Sequence, residues 1–254
     1  MLRARVIPVL LLKDGGLVKT VRFKRPTYLG DPINIVKIFN DKEVDELILL
    51  DITATLEGRR PPLEFLAQVT TECFMPLCYG GGVRSTDDVR ALVSLGVEKV
   101  AVNSYAVERP DFLRAAADLV GSSSVVAAID VKRKLFGGYE VVTHGGRRRT
   151  GWDPVAFAEE AERQGAGELF LNSVDRDGTM EGYDLDLVRR VSGAVGIPVV
   201  ACGGSRGIAD LAAAVTVGGA SAAAAGSMFV FQGRHRAVLV NTPDEVELRS
   251  AFGP

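Results

Sequence analysis

Four aspartates fall at or just beyond the ends of short apolar runs: Asp51, Asp130, Asp175 and Asp177. At the end of a buried strand a carboxylate can act as a general acid or base, orient a substrate hydroxyl, or cap the helix that follows. Asp130 is the sharpest of them. Ala128-Ile129-Asp130 sets its carboxyl at the end of an apolar run, and Lys132 follows on the same alternation. Two glycine clusters supply a second kind of chemistry: Gly80-Gly81-Gly82 with Asn103-Ser104 one unit later, and Gly203-Gly204 with Gly226-Ser227. Glycine turns free backbone N–H groups, and with a nearby hydroxyl or amide they can cradle a phosphate. Singly, each pair reads better as a tight turn. As two ordered pairs they imply an elongated substrate with a phosphate at each end.

A third group lies before the apolar runs. Arg5, Glu46, Lys99 and Glu168 alternate in sign and each just precede a predicted strand. They are either ordinary solvated residues or a ring of ion pairs at the N-terminal mouth of a barrel. Exposed ion pairs add little stability, so such a ring would serve as a gate. Cys73, Cys78 and Cys202 have neither zinc nor disulfide spacing, and His144 and His235 are isolated. No metal or other cofactor is expected, and buried free thiols suit a reducing cytoplasm.

The elements that must position these residues follow from periodicity. Short apolar runs bounded by turn residues predict strands at Val6–Leu12, Leu47–Ile52, Leu77–Tyr79, Val100–Asn103, Val125–Ile129, Leu169–Asn172, Val199–Ala201 and Ala222–Ala225. Amphipathic stretches predict helices at Ile33–Asn40, Pro62–Thr71, Thr86–Leu95, Pro110–Leu119, Pro154–Gln164, Leu185–Val195 and Ile208–Thr216. Such alternation argues for parallel strands joined by helical crossovers. With no linker dividing 254 residues, the expected fold class is α/β, a single (βα)8 TIM barrel spanning residues 1–254. Gly81-Gly82 recurs as Gly203-Gly204, and Asn103-Ser104 as Gly226-Ser227. Asp51 has counterparts near Asp175 and Asp177. The shared offset of about 120 residues implies two similar half-barrels. By the same symmetry the partner of Asp130 is Leu11, so a second, opposed carboxylate is missing.

Composition narrows the class of partner. With 30 basic and 32 acidic residues the formal charge is −2, which gives no global attraction for nucleic acid or an anionic membrane. The apolar N-terminal run lacks a small-residue cleavage site and reads as a first strand, not a signal peptide. The uncharged stretch from Leu211 to Gln232 is rich in Ala and Gly and reads as a helix end followed by a buried strand.

Lys13-Asp14-Gly15, Lys19, Gly30-Asp31-Pro32, Asp45-Glu46-Leu47, Leu50-Asp51-Ile52, Gly80-Gly81-Gly82, Val102-Asn103-Ser104, Ala128-Ile129-Asp130, Asp175-Arg176-Asp177-Gly178-Thr179 and Gly203-Gly204 together resemble the cyclase subunit of imidazole glycerol phosphate synthase, over nearly the whole chain. The resemblance implies a barrel whose N-terminal face docks a glutaminase of the HisH type. Ammonia passes through it to a small phosphorylated substrate, yielding an imidazole phosphate and a carboxamide nucleotide. It implies catalytic roles for Asp130, for Lys19 on a mobile loop and for Asp177. It also implies phosphate sites at Gly82, Asn103, Ser104 and at Gly204, Gly226, Ser227, and an ammonia gate at Arg5, Glu46, Lys99 and Glu168. Asp51, Gly145 and Asn172 fall at further substrate positions. Leu11 takes the place of the family's other catalytic aspartate. Gly145, Asn172 and Cys202 replace small hydroxyl residues, and Glu98 replaces an aspartate that faces the glutaminase. The first strand, Phe229-Val230-Phe231 and Gly233-Arg234-His235-Arg236 look closer to a divergent branch associated with surface-polysaccharide genes. That likeness implies ammonia delivery to a third, ATP-dependent amidotransferase that forms an acetamidino group on a nucleotide-activated sugar.

Overall fold

Strand and helix alternate along the chain as β1 (Arg5–Lys13), β2 (Gly16–Val21), β3 (Lys24–Gly30), α1 (Pro32–Asp41), β4 (Leu47–Asp51), α2 (Leu63–Glu72), β5 (Leu77–Gly80), α3 (Thr86–Ser94), β6 (Lys99–Val102), α4 (Ser104–Glu108) and α5 (Asp111–Val120). The second half continues with β7 (Val125–Arg133), β8 (Tyr139–Thr143), β9 (Arg148–Arg149), α6 (Pro154–Arg163), β10 (Glu168–Ser173), α7 (Leu185–Ser192), β11 (Val199–Cys202), α8 (Ile208–Thr216), β12 (Ala222–Ala225) and α9 (Ser227–Val230). A short hairpin, β13 (Phe231–Gln232) with β14 (Ala237–Val238), and α10 (Glu245–Phe252) complete it. The computed structural model describes residues 3–233 and 235–252; Arg234 of the basic segment lies outside them.

Eight parallel strands close on themselves in the order β1, β4, β5, β6, β7, β10, β11, β12 and back to β1. This is the expected (βα)8 barrel. Helix starts are encoded locally. Asp31 and Asp153 cap α1 and α6 ahead of a proline, and Ser85 with Asp88 forms a reciprocal capping box on α3.

Alternation along each strand splits the buried residues into two sets. Ile7, Val9, Leu11, Ile48, Cys78, Ala101, Val126, Ala128, Phe170, Val200, Cys202, Ala222 and Ala224 fill the barrel interior. Val6, Leu10, Leu12, Leu47, Leu49, Leu77, Tyr79 and their equivalents face the helices. The interior set extends by the same period of two to Arg5 at the bottom of β1, Asp130 and Lys132 at the top of β7, and Asn172 at the top of β10. Because β7 is the fourth strand from β1 in either direction, Leu11 and Asp130 occupy opposite walls.

Two antiparallel additions rise above the barrel. The hairpin β2–β3 extends β1, and β8–β9 extends the long strand β7. Neither follows the repeating unit, and neither was expected. In β3 the run Lys24-Arg25-Pro26-Thr27-Tyr28 is exposed throughout and carries no apolar alternation. The stretch Leu211–Gln232 holds the end of α8, all of β12 and α9. Among the described residues no helix is long and apolar enough to cross a membrane.

Candidate active site

The C-terminal ends of the barrel strands surround a cavity of about 440 Å³. It is lined by Leu11, Lys19, Asp51, Gly82, Asn103, Ser104, Asp130, Gly145, Asn172, Asp177, Cys202, Gly204, Gly226 and Ser227. Every residue assigned from the sequence to catalysis or substrate binding therefore reaches one space.

The glycines are required by backbone packing. A Cβ at Gly81 would lie 2.5 Å from the Asp51 carbonyl oxygen, and one at Gly82 would lie 2.4 Å from that of Arg59. In the second half, Gly203 meets the Ser173 carbonyl at 2.6 Å and Gly204 that of Gly182 at 2.2 Å. All four have positive φ, so the glycine demand is doubled. The half-barrel symmetry is thus visible as the same close approach made twice. Next to these turns, Asn103 donates to the Ala128 carbonyl at 2.8 Å, and Ser104 Oγ accepts from the His144 N–H at 3.1 Å. Ser227 Oγ is buried and has no partner among the described residues.

Lys19 and Asp177 form a buried ion pair at the site. Lys19 Nζ donates to Asp177 Oδ1 at 2.8 Å, both side chains being more than nine-tenths buried. Thr20 Oγ1 donates to Asp177 Oδ2 at 3.0 Å, and the Arg22 N–H to the Asp177 carbonyl at 2.8 Å. The hairpin β2–β3 is thereby laid over the loop Asp175–Thr179. Gly178 makes that contact possible, since a Cβ there would sit 2.1 Å from the Thr20 carbonyl. Asp175 acts locally, its Oδ2 accepting from the Arg133 N–H at 2.8 Å.

Asp51 lines the cavity with its carboxylate already engaged. Oδ1 accepts from the N–H groups of Thr53 and Ala54 at 3.0 and 2.9 Å, and Oδ2 from Arg59 at 3.1 Å. Asp130 differs. Among the described residues its only side-chain partner is the Asn172 amide, which donates at 3.3 Å. Burial pushes the Asp130 carboxyl up to about 7, and the nearby Asp177 charge adds to this, against the opposing pull of the Asn172 hydrogen bond and Lys132. A carboxyl poised there can accept or release a proton near neutrality. Facing it across the mouth, Leu11 is 7% exposed and offers no polar atom.

Arg59, His144 and Arg147 also line the cavity and were not singled out for a role there. Arg59 lies in the loop between β4 and α2, and the other two on the turn joining β8 and β9. Nothing in the period of the barrel strands marks such positions. The thiols are held protonated: burial pushes Cys202 up to about 12 and Cys78 well above its ordinary range. Among the described residues no group of three or more His, Cys, Asp or Glu side chains could hold a metal ion.

At the other end of the same strands, Arg5, Glu46, Lys99 and Glu168 form a closed ring. Arg5 donates to both Glu46 and Glu168; Lys99 Nζ lies 2.9 Å from Glu46 Oε2 and 2.8 Å from Glu168 Oε2. Glu46 and Glu168 are 2% and 5% exposed, so they are not ordinary solvated carboxylates. Burial lowers the basicity of Arg5 and Lys99, but their hydrogen bonds to Glu168 and Glu46 outweigh it, and both cations stay charged.

Comparison with known proteins bears on this arrangement. Residues 5–236 match the sequence profile of the family described as histidine biosynthesis protein. The chain is 51% identical over 244 residues to a Pseudomonas aeruginosa protein provisionally named imidazole glycerol phosphate synthase subunit hisF2, covering 96% of this chain and 97% of that one. It is 47% identical to the imidazole glycerol phosphate synthase subunit HisF of Symbiobacterium thermophilum, covering 92% of each chain. It is 48% identical to that of Hyphomonas neptunium, covering 91% of each. The barrel with its paired glycine turns therefore belongs to the family of HisF-type cyclase subunits of imidazole glycerol phosphate synthase.

Proposed function

We propose that this chain is the ammonia-accepting barrel subunit of a glutamine-dependent synthase. A glutaminase docks on the face that carries the charged ring. Ammonia passes along the barrel axis, and a substrate with an anionic group at each end is held at the opposite mouth. The observation that carries this reading is the stacking of the two features on shared strands. The inward face of β10 starts with Glu168 in the ring and reaches Asn172 in the cavity, with the apolar Phe170 between them. A small neutral molecule admitted by the ring would travel past apolar side chains straight to Asp130. At the mouth, Asp130 moves the proton, Lys19 with Asp177 closes the hairpin over the substrate, and the two glycine turns hold its ends.

The relatives' names favour formation of imidazole glycerol phosphate as the reaction, which on this reading is a ring closure. A second reading rests on Leu11. Proton transfer by one positioned group contributes about 10²- to 10⁴-fold, and Leu11, on the wall opposite Asp130, cannot supply it. On that reading the barrel passes ammonia on to a third, ATP-using protein that forms an amidine on a nucleotide-activated sugar. Purified chain supplied with ammonia and the phosphoribulosyl substrate decides between them. Robust turnover supports ring closure and defeats the second reading; no turnover, with failure to complement a strain lacking the histidine cyclase, defeats ring closure. Three cysteines that are all free thiols fit a reducing compartment, so we place the protein in the cytoplasm.

A further inference from the structure

Leu135 and Phe136 are 87% and 98% exposed, more than any other large apolar side chain among the described residues. Local geometry turns them outward. They are the two central residues of the turn joining β7 to β8, which is closed by the Gly137 N–H on the Lys134 carbonyl at 3.2 Å and the Lys134 N–H on the Gly138 carbonyl at 3.0 Å. The stem below is braced. Arg133 pairs with Tyr139, and both donate to Asp184 at the start of α7, Arg133 Nη2 at 2.7 Å and Tyr139 Oη at 2.9 Å. An apolar tip is thus carried on a stem tied to the helix ring, and neither residue of the tip lines the cavity.

A second hairpin tip beside it carries charge. Arg22 Nε donates to the Asp175 carbonyl at 3.0 Å, and Asp175 Oδ2 accepts from the Arg133 N–H, so the turn between β2 and β3 leans on the stem. Arg22, Lys24, Arg25 and Lys134 are exposed, form no ion pair among the described residues and do not line the cavity. Neighbouring Arg133, Arg148 and Arg149 are instead neutralised by Asp184, Glu108 and Glu140. The formal charge of −2 conceals this local excess. Both hairpins rise from the same end of the barrel, so the apolar tip and the four cations address one plane. A protein partner would need a pocket shaped to receive the tip, whereas a bilayer needs only apolar side chains in front and cations behind them at headgroup level. We propose that the two hairpins form a peripheral membrane-docking surface. Leu135 and Phe136 enter the boundary between headgroups and acyl chains, and Arg22, Lys24, Arg25 and Lys134 meet anionic lipid headgroups. This goes beyond the reaction assigned above and does not depend on it; the charged ring lies at the opposite end of the barrel, so the glutaminase face stays free.

Co-sedimentation of the full chain with lipid vesicles tests this. The probes are vesicles of phosphatidylcholine alone, vesicles of phosphatidylcholine and phosphatidylglycerol in equal parts, and soluble polyglutamate as a stand-in for an acidic protein surface. The chain should bind the phosphatidylglycerol vesicles about tenfold or more tightly than those of phosphatidylcholine alone, and high salt should release it. Phe136→Ser should weaken vesicle binding about tenfold, and Lys134→Glu about fivefold or more. Both positions are exposed, so neither change threatens the fold. Phe136→Trp should keep the affinity and shift its emission to the blue on vesicles, which contact by charge alone would not produce. No binding to phosphatidylglycerol vesicles, binding undiminished in Phe136→Ser, or an unshifted emission in Phe136→Trp each overturns the proposal. Binding to polyglutamate but not to vesicles would identify an acidic protein as the occupant and overturns it as well. Turnover enters none of these measurements, so their failure leaves the assigned reaction untouched.

Discussion

Replacing Asp130 with asparagine should stabilise the protein at alkaline pH and have little effect in acid. In the unfolded chain this carboxyl titrates near its ordinary value of 3.8, whereas in the fold burial pushes it up to about 7. Between those values the unfolded chain is ionised and the folded chain holds the proton. The folded state binds more protons there, so stability falls as pH rises from about 4 to about 7 and is level beyond. At about 1.4 kcal/mol per pH unit, a gap of roughly three units sets a ceiling of about 4 kcal/mol. Asp130 is only partly buried and opens onto the mouth, so we expect about 2–4 kcal/mol. The substituted amide cannot ionise, and its oxygen can still accept from the Asn172 side chain. Urea unfolding at pH 4.5, 6 and 8 should give a difference of about a quarter of the full value at the lowest pH, growing to the full value at the highest. For a chain of this size that corresponds to roughly 4–8 °C in Tm at pH 8. A difference that stays constant with pH, or a variant less stable than the wild type at pH 8, would refute the claim that burial governs this carboxyl.

Lys99→Ala or Glu168→Ala opens the charged ring and leaves buried charge unpaired. Either should cost about 3–5 kcal/mol by denaturant unfolding and abolish ammonia transfer from a glutaminase, while free ammonia still serves. Leu11→Asp puts a carboxylate opposite Asp130 and should give measurable cyclase turnover with the phosphoribulosyl substrate. A complete absence would mean that Gly145, Asn172 and Cys202 already exclude that substrate. It should also destabilise by about 2–4 kcal/mol, because a 7% exposed leucine is lost from the barrel interior. Gly204→Ala drives a Cβ to 2.2 Å from the Gly182 carbonyl at a φ of +112°. Unfolding should show a loss of about 2 kcal/mol or more, with phosphate affinity reduced in parallel.

Much of the barrel was legible in the residues alone. The eight apolar runs and seven amphipathic stretches correspond to barrel strands and helices, with differences at their ends such as the extension of β7 to Arg133. Periodicity of two and of 3.6 is a local property, so it survives without knowledge of the fold. The same alternation placed Arg5, Asp130 and Leu11 on inward positions of β1 and β7, and the repeated glycine turns marked the mouth. The hairpins β2–β3 and β8–β9 were not legible, because their stability comes from pairing onto β1 and β7 and from Lys19 meeting Asp177 158 residues away. Closure of the sheet decided the rest. Only a closed barrel sets Leu11 across from Asp130 and joins four scattered charges into one ring. It also buries Asp130 enough to move its titration, and seals Asn172 Oδ1 from water without giving it a partner. Sequence carries the pattern of which face each side chain takes; distance, desolvation and hydrogen-bond satisfaction depend on what stands on the neighbouring strand, which only the tertiary structure decides.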